Sequence, residues 1–222
     1  MGIISLENTD RLYWLGRYSE RVYTTIRFFS QHYDLMIDIN KESYEKFCES
    51  LDIPNIYADS MDFCKKYSFD PEDPNSIYSN LMRAYDNAIV LRETIGSESL
   101  SYIQLAVYEL NKAAVSRSPL IEFQKVIDNI LAFWGISDDR ILDENVRNII
   151  KVGKRIERID LYARIKMPVL DIKREVIRLS ARIERTNLKY NEDVLKELNA
   201  LAEVPELDYP KMVQAVESLM MA

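Results

Sequence analysis

Residues 15–27 read Leu-Gly-Arg-Tyr-Ser-Glu-Arg-Val-Tyr-Thr-Thr-Ile-Arg, and residues 152–164 read Val-Gly-Lys-Arg-Ile-Glu-Arg-Ile-Asp-Leu-Tyr-Ala-Arg. Aligned without gaps, the two stretches share Gly16/Gly153, Glu20/Glu157, Arg21/Arg158 and Arg27/Arg164, with a basic residue at Arg17/Lys154. Through and beyond the first stretch, Leu15, Tyr18, Val22, Ile26, Phe29, Tyr33 and Met36 recur at helical spacing. That period predicts one apolar stripe on a helix from about residue 6 to about residue 39, with Ser5 as its N-cap. A helix on the order of 50 Å long must pack against several partners.

Outward from this spine the helical period persists. Two short helices are predicted between about residues 41 and 67, broken near Pro54. The loop Phe69-Asp70-Pro71-Glu72-Asp73-Pro74 cannot be helical, because neither proline can sit inside a helix. A helix from about 75 to about 96 ends at Gly96, and another covers about 98 to 115. Ser118-Pro119 marks the next start, and Gly135 its stop. The second copy lies on a helix from about 143 to 167 that Pro168 ends, a further helix spans about 171 to 190, and Pro205 and Pro210 bracket a last short one. No run alternates apolar and polar residues between turn signals, so no strand is predicted. The chain has only five glycines and seven prolines in 222 residues, too few turn formers for a β-sandwich or a doubly wound sheet. The expected fold is all-α: a multi-helix bundle over residues 1–222 as one domain, with a long N-terminal helix and an internal pseudo-repeat.

With about 100° per residue and Leu15 at zero, Glu20 falls near 140°, Arg27 near 120°, Arg17 near 200° and Arg21 near 240°. Glutamate is thus flanked by guanidinium groups on the side away from the apolar stripe. Such a face is common decoration on a solvated helix, where each pair is worth about 0.2–0.5 kcal/mol. Glycine inside a helix costs roughly 0.5–1 kcal/mol relative to alanine, and this sequence accepts that cost at both Gly16 and Gly153. Close approach of a helix or ligand at Gly16 and Gly153 is the simplest reason. A solvated face and a buried Glu–Arg network both stay open on these grounds. A weaker third copy follows at Arg182-Ile183-Glu184-Arg185, with Ser180 in the glycine position.

The formal net charge of −7 argues against nucleic-acid and anionic-membrane binding. Between Arg147 and Arg185, however, twelve Lys/Arg stand against five Asp/Glu. That basic sector suits a small anionic or zwitterionic ligand or an acidic partner, or else neutralisation by neighbouring acidic helices. Cys48 and Cys64 form no Cys-x-x-Cys, Met1-Gly2-Ile3-Ile4 lacks the features of a signal peptide, and no apolar run reaches the roughly 18 residues of a membrane span. A cytoplasmic protein is expected.

Most catalytic templates need more histidine than His32 supplies. Di-iron bundles need paired Glu-x-x-His, zinc sites need clustered Cys and His, and phosphate loops need grouped glycines. None of these patterns occurs, so no metal and no cofactor is predicted.

The stretch Leu12-Tyr13-Trp14-Leu15-Gly16-Arg17-Tyr18-Ser19-Glu20-Arg21 resembles the opening motif of the alpha-E family of all-helical bacterial proteins. Pro74-Asn75-Ser76-Ile77, Arg83-Ala84-Tyr85-Asp86-Asn87-Ala88, Arg92-Glu93-Thr94-Ile95 and Gly153 through Asp160 fit the same family, in order. The match covers most of residues 1–170, and residues 171–222 are weakly matched. Asp86 stands where the family pattern has glutamate, and Lys154-Arg155-Ile156 replaces an Arg-Tyr-Leu type of run. The resemblance implies companionship with circularly permuted ATP-grasp proteins and transglutaminase-like proteins, and a part in ATP-dependent peptide or amide-bond chemistry. It carries over Arg17, Glu20, Arg21, Asn75, Arg83, Arg92, Glu93, Glu157 and Arg158 as a polar site, with Gly16 and Gly153 as points of close helix approach. Two functions stay open. One is an interaction or accessory module whose Glu–Arg faces are structural glue or a docking surface. The other is a catalytic component that binds a zwitterionic or acyl-phosphate intermediate through Glu20, Arg17, Arg21, Glu157 and Arg158.

Overall fold

The structure is a computed structural model that describes residues 5–38 and 42–221. Met1–Ile4, read above for signal-peptide features, and the ends of two expected elements at residues 39 and 41 lie outside the described residues. Among the described residues there are eleven helices and no strand, so the chain is all-α.

Helix α1 spans Leu6–Asp38, as its stripe demands: Leu15, Val22 and Ile26 are wholly buried. Ser5 Oγ accepts from the Asn8 amide at 3.1 Å, which fills the expected cap role. The following helices are α2 (Ser43–Leu51), α3 (Ser60–Phe69), α4 (Ile77–Val90), α5 (Arg92–Ile95), α6 (Ser97–Ala113) and α7 (Pro119–Arg140). They continue as α8 (Glu144–Arg164), α9 (Val169–Ile183), α10 (Glu192–Glu203) and α11 (Tyr209–Glu217). Side-chain caps at Asp59, Ser76, Asp143, Asn191 and Asp208 start α3, α4, α8, α10 and α11, each by accepting from orphan amides at the helix start.

Several expected boundaries need correction. The helix expected over 75–96 breaks at Leu91, whose side chain is fully buried, into α4 and α5; Gly96, at φ 82°, then ends it as expected. Gly135 does not stop α7, which runs on to Arg140. Burial of Phe133, Trp134 and Ser137 around it outweighs a glycine penalty of about 1 kcal/mol. The expected 171–190 helix ends at Ile183, where Thr186 Oγ1 donates to the Ile183 carbonyl at 2.7 Å and competes with continuation. Pro205 and Pro210 do not bracket a helix. Pro205 lies in the connection after α10, and Pro210 sits in the first turn of α11, where its missing amide costs nothing.

The described residues form two compact units. One unit comprises the chain up to Glu20 together with everything from Leu142 onward. Its core joins Leu12 and Leu15 to Ile149, Val152, Ile156 and Ile159 of α8, and to apolar residues of α9, α10 and α11 such as Val176, Leu198 and Met212. Helix α8 packs against both α9 and α11, so residues after 170 complete this core. An isolated antiparallel bridge between Tyr190 and Met220 ties the chain beside α10.

The other unit, Arg21–Ile141, packs α6 against α7 and α4. Its centre is aromatic. Phe29, Phe47, Phe63 and Tyr67 meet with ring centroids 4.8–6.4 Å apart, in the offset and edge-on geometries that aromatic quadrupoles favour.

Candidate functional site

The Gly-to-Glu parts of the two copies, Gly16–Glu20 and Gly153–Glu157, meet inside the first unit, and glycine is why they can. A Cβ on Gly16 would lie 2.0 Å from the carbonyl oxygen of Ile150, and a Cβ on Gly153 would lie 2.1 Å from that of Tyr13. Each glycine therefore turns a Cα hydrogen onto a backbone carbonyl of the opposite helix, a contact that any side chain would block. Beyond the two glycines, Arg17 meets Glu157 and Glu20 meets Arg158, so both helices leave the crossing on the same side. The two segments thus run in the same direction through the crossing.

Four residues beyond each glycine stands a fully buried glutamate, Glu20 and Glu157, each 0% exposed. Their guanidinium partners come from the opposite helix. Arg158 grips Glu20 with both arms, Nε to Oε1 at 2.6 Å and Nη2 to Oε2 at 2.8 Å. Arg17 Nε donates to Glu157 Oε2 at 2.6 Å. Sequence angles placed guanidinium groups of the same helix around Glu20. The helix crossing exchanges the partners instead and covers a face that would otherwise meet solvent.

Burial alone would lower the pKa of Arg17 and of Arg158, but Glu157 and Glu20 respectively hold each guanidinium above the ordinary arginine range. Arg17 also lies over the Trp14 ring, 4.9 Å from its centroid, and Trp14 stacks on Tyr18. Its Nη1 donates weakly to the Tyr13 hydroxyl at 3.4 Å. Cation–π contact and ion pairing thus fix the same guanidinium.

A third buried carboxylate, Glu175 on α9, was not among the sequence candidates. It accepts from Arg155 and, at 2.8 Å, from Arg178, and Arg158 Nη1 lies 3.8 Å away. Only its i,i+3 spacing to Arg178 could have marked it, and that pattern is ordinary on helices. Asp160, 4% exposed, accepts from Arg164 at 2.9 Å, and its carboxyl is raised by burial and by Glu157. Burial also pulls the Lys154 ammonium down to about 7; Glu20 opposes that shift, and Arg158 and Arg155 add to it.

The structure therefore joins Gly16, Arg17, Glu20, Gly153, Glu157 and Arg158 in one cluster. Arg21 follows Glu20 directly but belongs to the second unit, where its carbonyl accepts from Thr25 Oγ1 at 2.7 Å. The second unit also holds the other candidates. The Asn75 amide donates to Asp73 Oδ1 at 2.8 Å, and Arg83 Nη1 donates to the Pro74 carbonyl at 2.9 Å, so both brace the proline loop. Arg92 and Glu93 are exposed on α5, with Arg92 Nε donating to Ser97 Oγ at 3.2 Å. In the third copy, Glu184 is exposed and Arg182 donates to Asn148 Oδ1 at 2.9 Å.

His32 packs against Phe28 and Phe47, with Nδ1 3.1 Å from the Phe28 carbonyl. A cavity of about 500 Å³ in the second unit is bordered by Tyr33, Met36, Cys64, Lys65 and Phe69. Among the described residues no group of three or more His, Cys, Asp or Glu is placed to hold a metal ion, and no helix is long and apolar enough to cross a membrane.

Chemically, the cluster locks carboxylates rather than presenting them. Short charge-assisted bonds occupy both oxygens of Glu20 and Oε2 of Glu157, atoms that a substrate amine or a magnesium ion would need. The Alpha-E family model, described as a predicted alpha-helical domain with a conserved ER motif, matches residues 8–202. Glu-Arg occurs in that span at 20–21, 157–158 and 184–185, and the first two of these glutamates are the buried pair. The match runs through α9 into α10, beyond the point near residue 170 where the recognisable motifs end. No curated protein and no solved structure matches the chain.

Proposed function

The chain belongs to the Alpha-E family, and we propose that it is a cytoplasmic helical interaction module that serves ATP-dependent peptide or amide-bond formation without performing the chemistry itself. The observation that supports this reading is the engagement of Glu20 and Glu157, both 0% exposed, by guanidinium groups 2.6–2.8 Å away within the same unit. Carboxylates held in this way already spend their oxygens on guanidinium groups of the same unit, and drawing one away would leave a buried charge unpaired. The Glu–Arg repeat then acts as an internal lock that fixes the crossing of α1 and α8. The work of the protein falls to the surface that this lock shapes. The partner class, a circularly permuted ATP-grasp-type or transglutaminase-like protein, rests on the family resemblance.

Co-expression with such a partner tests the proposal. The partner is expected to co-purify with the wild-type chain. Glu20→Ala and Glu157→Ala are expected to lower the melting temperature, and to reduce partner capture and partner-dependent product formation only as far as the fold is lost. A variant that melts like the wild type and still abolishes product formation would overturn this reading in favour of the catalytic one.

A further inference from the structure

The basic sector is not dispersed by folding. With Lys151 as reference, Arg147, Lys154, Arg155 and Arg158 all lie within about 60° of it around α8, on the side opposite the buried Ile149, Ile156 and Ala163. Arg174, Arg178 and Arg182 share one side of α9 in the same way, and Arg185 follows in the turn just past its end. The two helices run antiparallel with these sides adjoining: Arg185 faces Glu144 at 3.6 Å, Arg182 bonds Asn148 at 2.9 Å, and Arg155 and Arg178 meet on Glu175. The result is a double row of cations about 16 Å long, given 1.5 Å per helical residue.

Three features tell what such a row takes. It is elongated, matching about five residues of an extended chain rather than one small ion. Its outer members, Arg174, Arg178 and Arg185, are exposed guanidinium forks, suited to carboxylates and phosphates alike. And it belongs to a protein of net charge −7, which repels a long polyanion such as nucleic acid while leaving a short acidic segment free to approach. The fold also holds like charges together here at a cost. Lys151 lies near Arg182 and Arg155, and burial together with those two neighbours lowers its ammonium to about 8. Crowding of this kind relaxes when an anion arrives.

We infer that the α8–α9 face is a docking surface for an acidic polypeptide segment of the partner protein, with Lys151, Arg174, Arg178 and Arg182 meeting its Asp and Glu side chains. This rests on the reading of the chain as an interaction module and adds the chemistry of what it binds. Arg155 and Arg158, 16% and 13% exposed, pair with Glu175 and Glu20 and form the floor beneath the contact. Arg174 and Arg178, 59% and 49% exposed, instead pair with Asp171 and Glu175 at the rim and exchange those surface pairs for the incoming acid.

The test uses the full chain and a labelled dodecapeptide rich in Asp and Glu, with its Asn/Gln counterpart as control, followed by fluorescence anisotropy. The acidic peptide is expected to bind at least tenfold more tightly than the control, and to weaken about tenfold between low and physiological salt as screening shortens the field. The double variant Lys151→Gln/Arg174→Gln removes two cations without adding an acid beside Asp171, and is expected to melt close to the wild type and to lose about tenfold in affinity. Equal binding of both peptides, or of both proteins, overturns the inference, as does tight binding of inorganic tripolyphosphate with no binding of the peptide. A parallel pull-down separates the two levels. Retention of the partner by both proteins refutes the acidic docking surface and leaves the module intact. Peptide binding with no partner retained does the reverse.

Discussion

Gly16 and Gly153 stand opposite one another as equivalents, each occupying the only kind of position from which its helix can touch the other's backbone. The hydrogen that replaces a side chain at Gly16 points at Ile150, and the one at Gly153 points at Tyr13. Alanine at either site adds up to about 1 kcal/mol of helix propensity. It also drives a methyl group to 2.0 or 2.1 Å from a backbone oxygen, and no rotamer change relieves that. The clash wins. Gly16→Ala and Gly153→Ala are each expected to cost about 3 kcal/mol or more in urea unfolding. Gly135→Ala, where nothing lies within 4 Å of the new methyl, is expected to stabilise by about 0.5–1 kcal/mol. Comparable effects at all three positions would mean that the helices do not cross at these glycines.

The exchanged ion pairs predict a specific non-additivity. Removing one partner of a buried pair leaves the other charge desolvated and alone, at about 3–5 kcal/mol, whereas replacing both with apolar groups of similar size is often neutral. Arg158 retains 13% side-chain exposure, so the lower end applies. Glu20→Leu and Arg158→Met are each expected to lose about 3 kcal/mol, and the double variant to recover most of it. A double variant as unstable as the sum of the singles would show that Glu20 and Arg158 do not depend on each other.

The helical frame was legible from periodicity because burial on α1 follows Leu15, Val22 and Ile26, residues that the period itself selects. The repeat was legible too, since matching glycines and Glu-Arg dipeptides survive in the letters. What could not be read was which helix answers which. An angle of about 140° from the stripe makes Glu20 look solvated so long as only its own helix is considered. Burial at that angle is created by α8, which arrives from more than a hundred residues away along the chain. Glu175 was invisible for the same reason: beside Lys173, Arg174 and Arg178 it has the pattern of a surface acid. Gly135 shows the opposite error, a strong local stop signal overridden by the burial of Phe133 and Trp134 beside it.

Cys48 and Cys64 are expected to be slow nucleophiles. Burial raises both thiols to about 11 from 9.0, with Asp73 contributing at Cys48. Thiolate is the reactive form, so a rise of that size leaves about a hundredfold less of it at a given pH. Iodoacetamide at pH near 7.5 should modify the native chain far more slowly than the urea-unfolded chain, even though Cys64 borders the cavity of the second unit. Native-state labelling of Cys64 at the unfolded rate would show that its surroundings do not suppress the thiolate.

Lys154 predicts how the crossing responds to pH. Its ammonium titrates at about 7 in the folded chain against 10.5 for an ordinary lysine, chiefly through burial. Below about pH 7 the lysine is charged in both states and the folded protein carries the whole desolvation penalty. As pH rises from there towards 10.5, the folded state releases a proton that the unfolded state keeps, so this residue's contribution to stability rises with pH. Above that range both states are neutral and the contribution is constant. Lys154→Met keeps the length of the side chain and removes the charge. Its advantage over the wild type in urea unfolding is therefore expected to be greatest near pH 6.5 and to shrink steadily towards pH 10. Comparison with the wild type at each pH cancels the titration of tyrosines and other lysines. A difference that stays flat across that interval would mean that Lys154 is fully solvated or fully compensated by Glu20, and that the crossing carries no pH-dependent strain at this position.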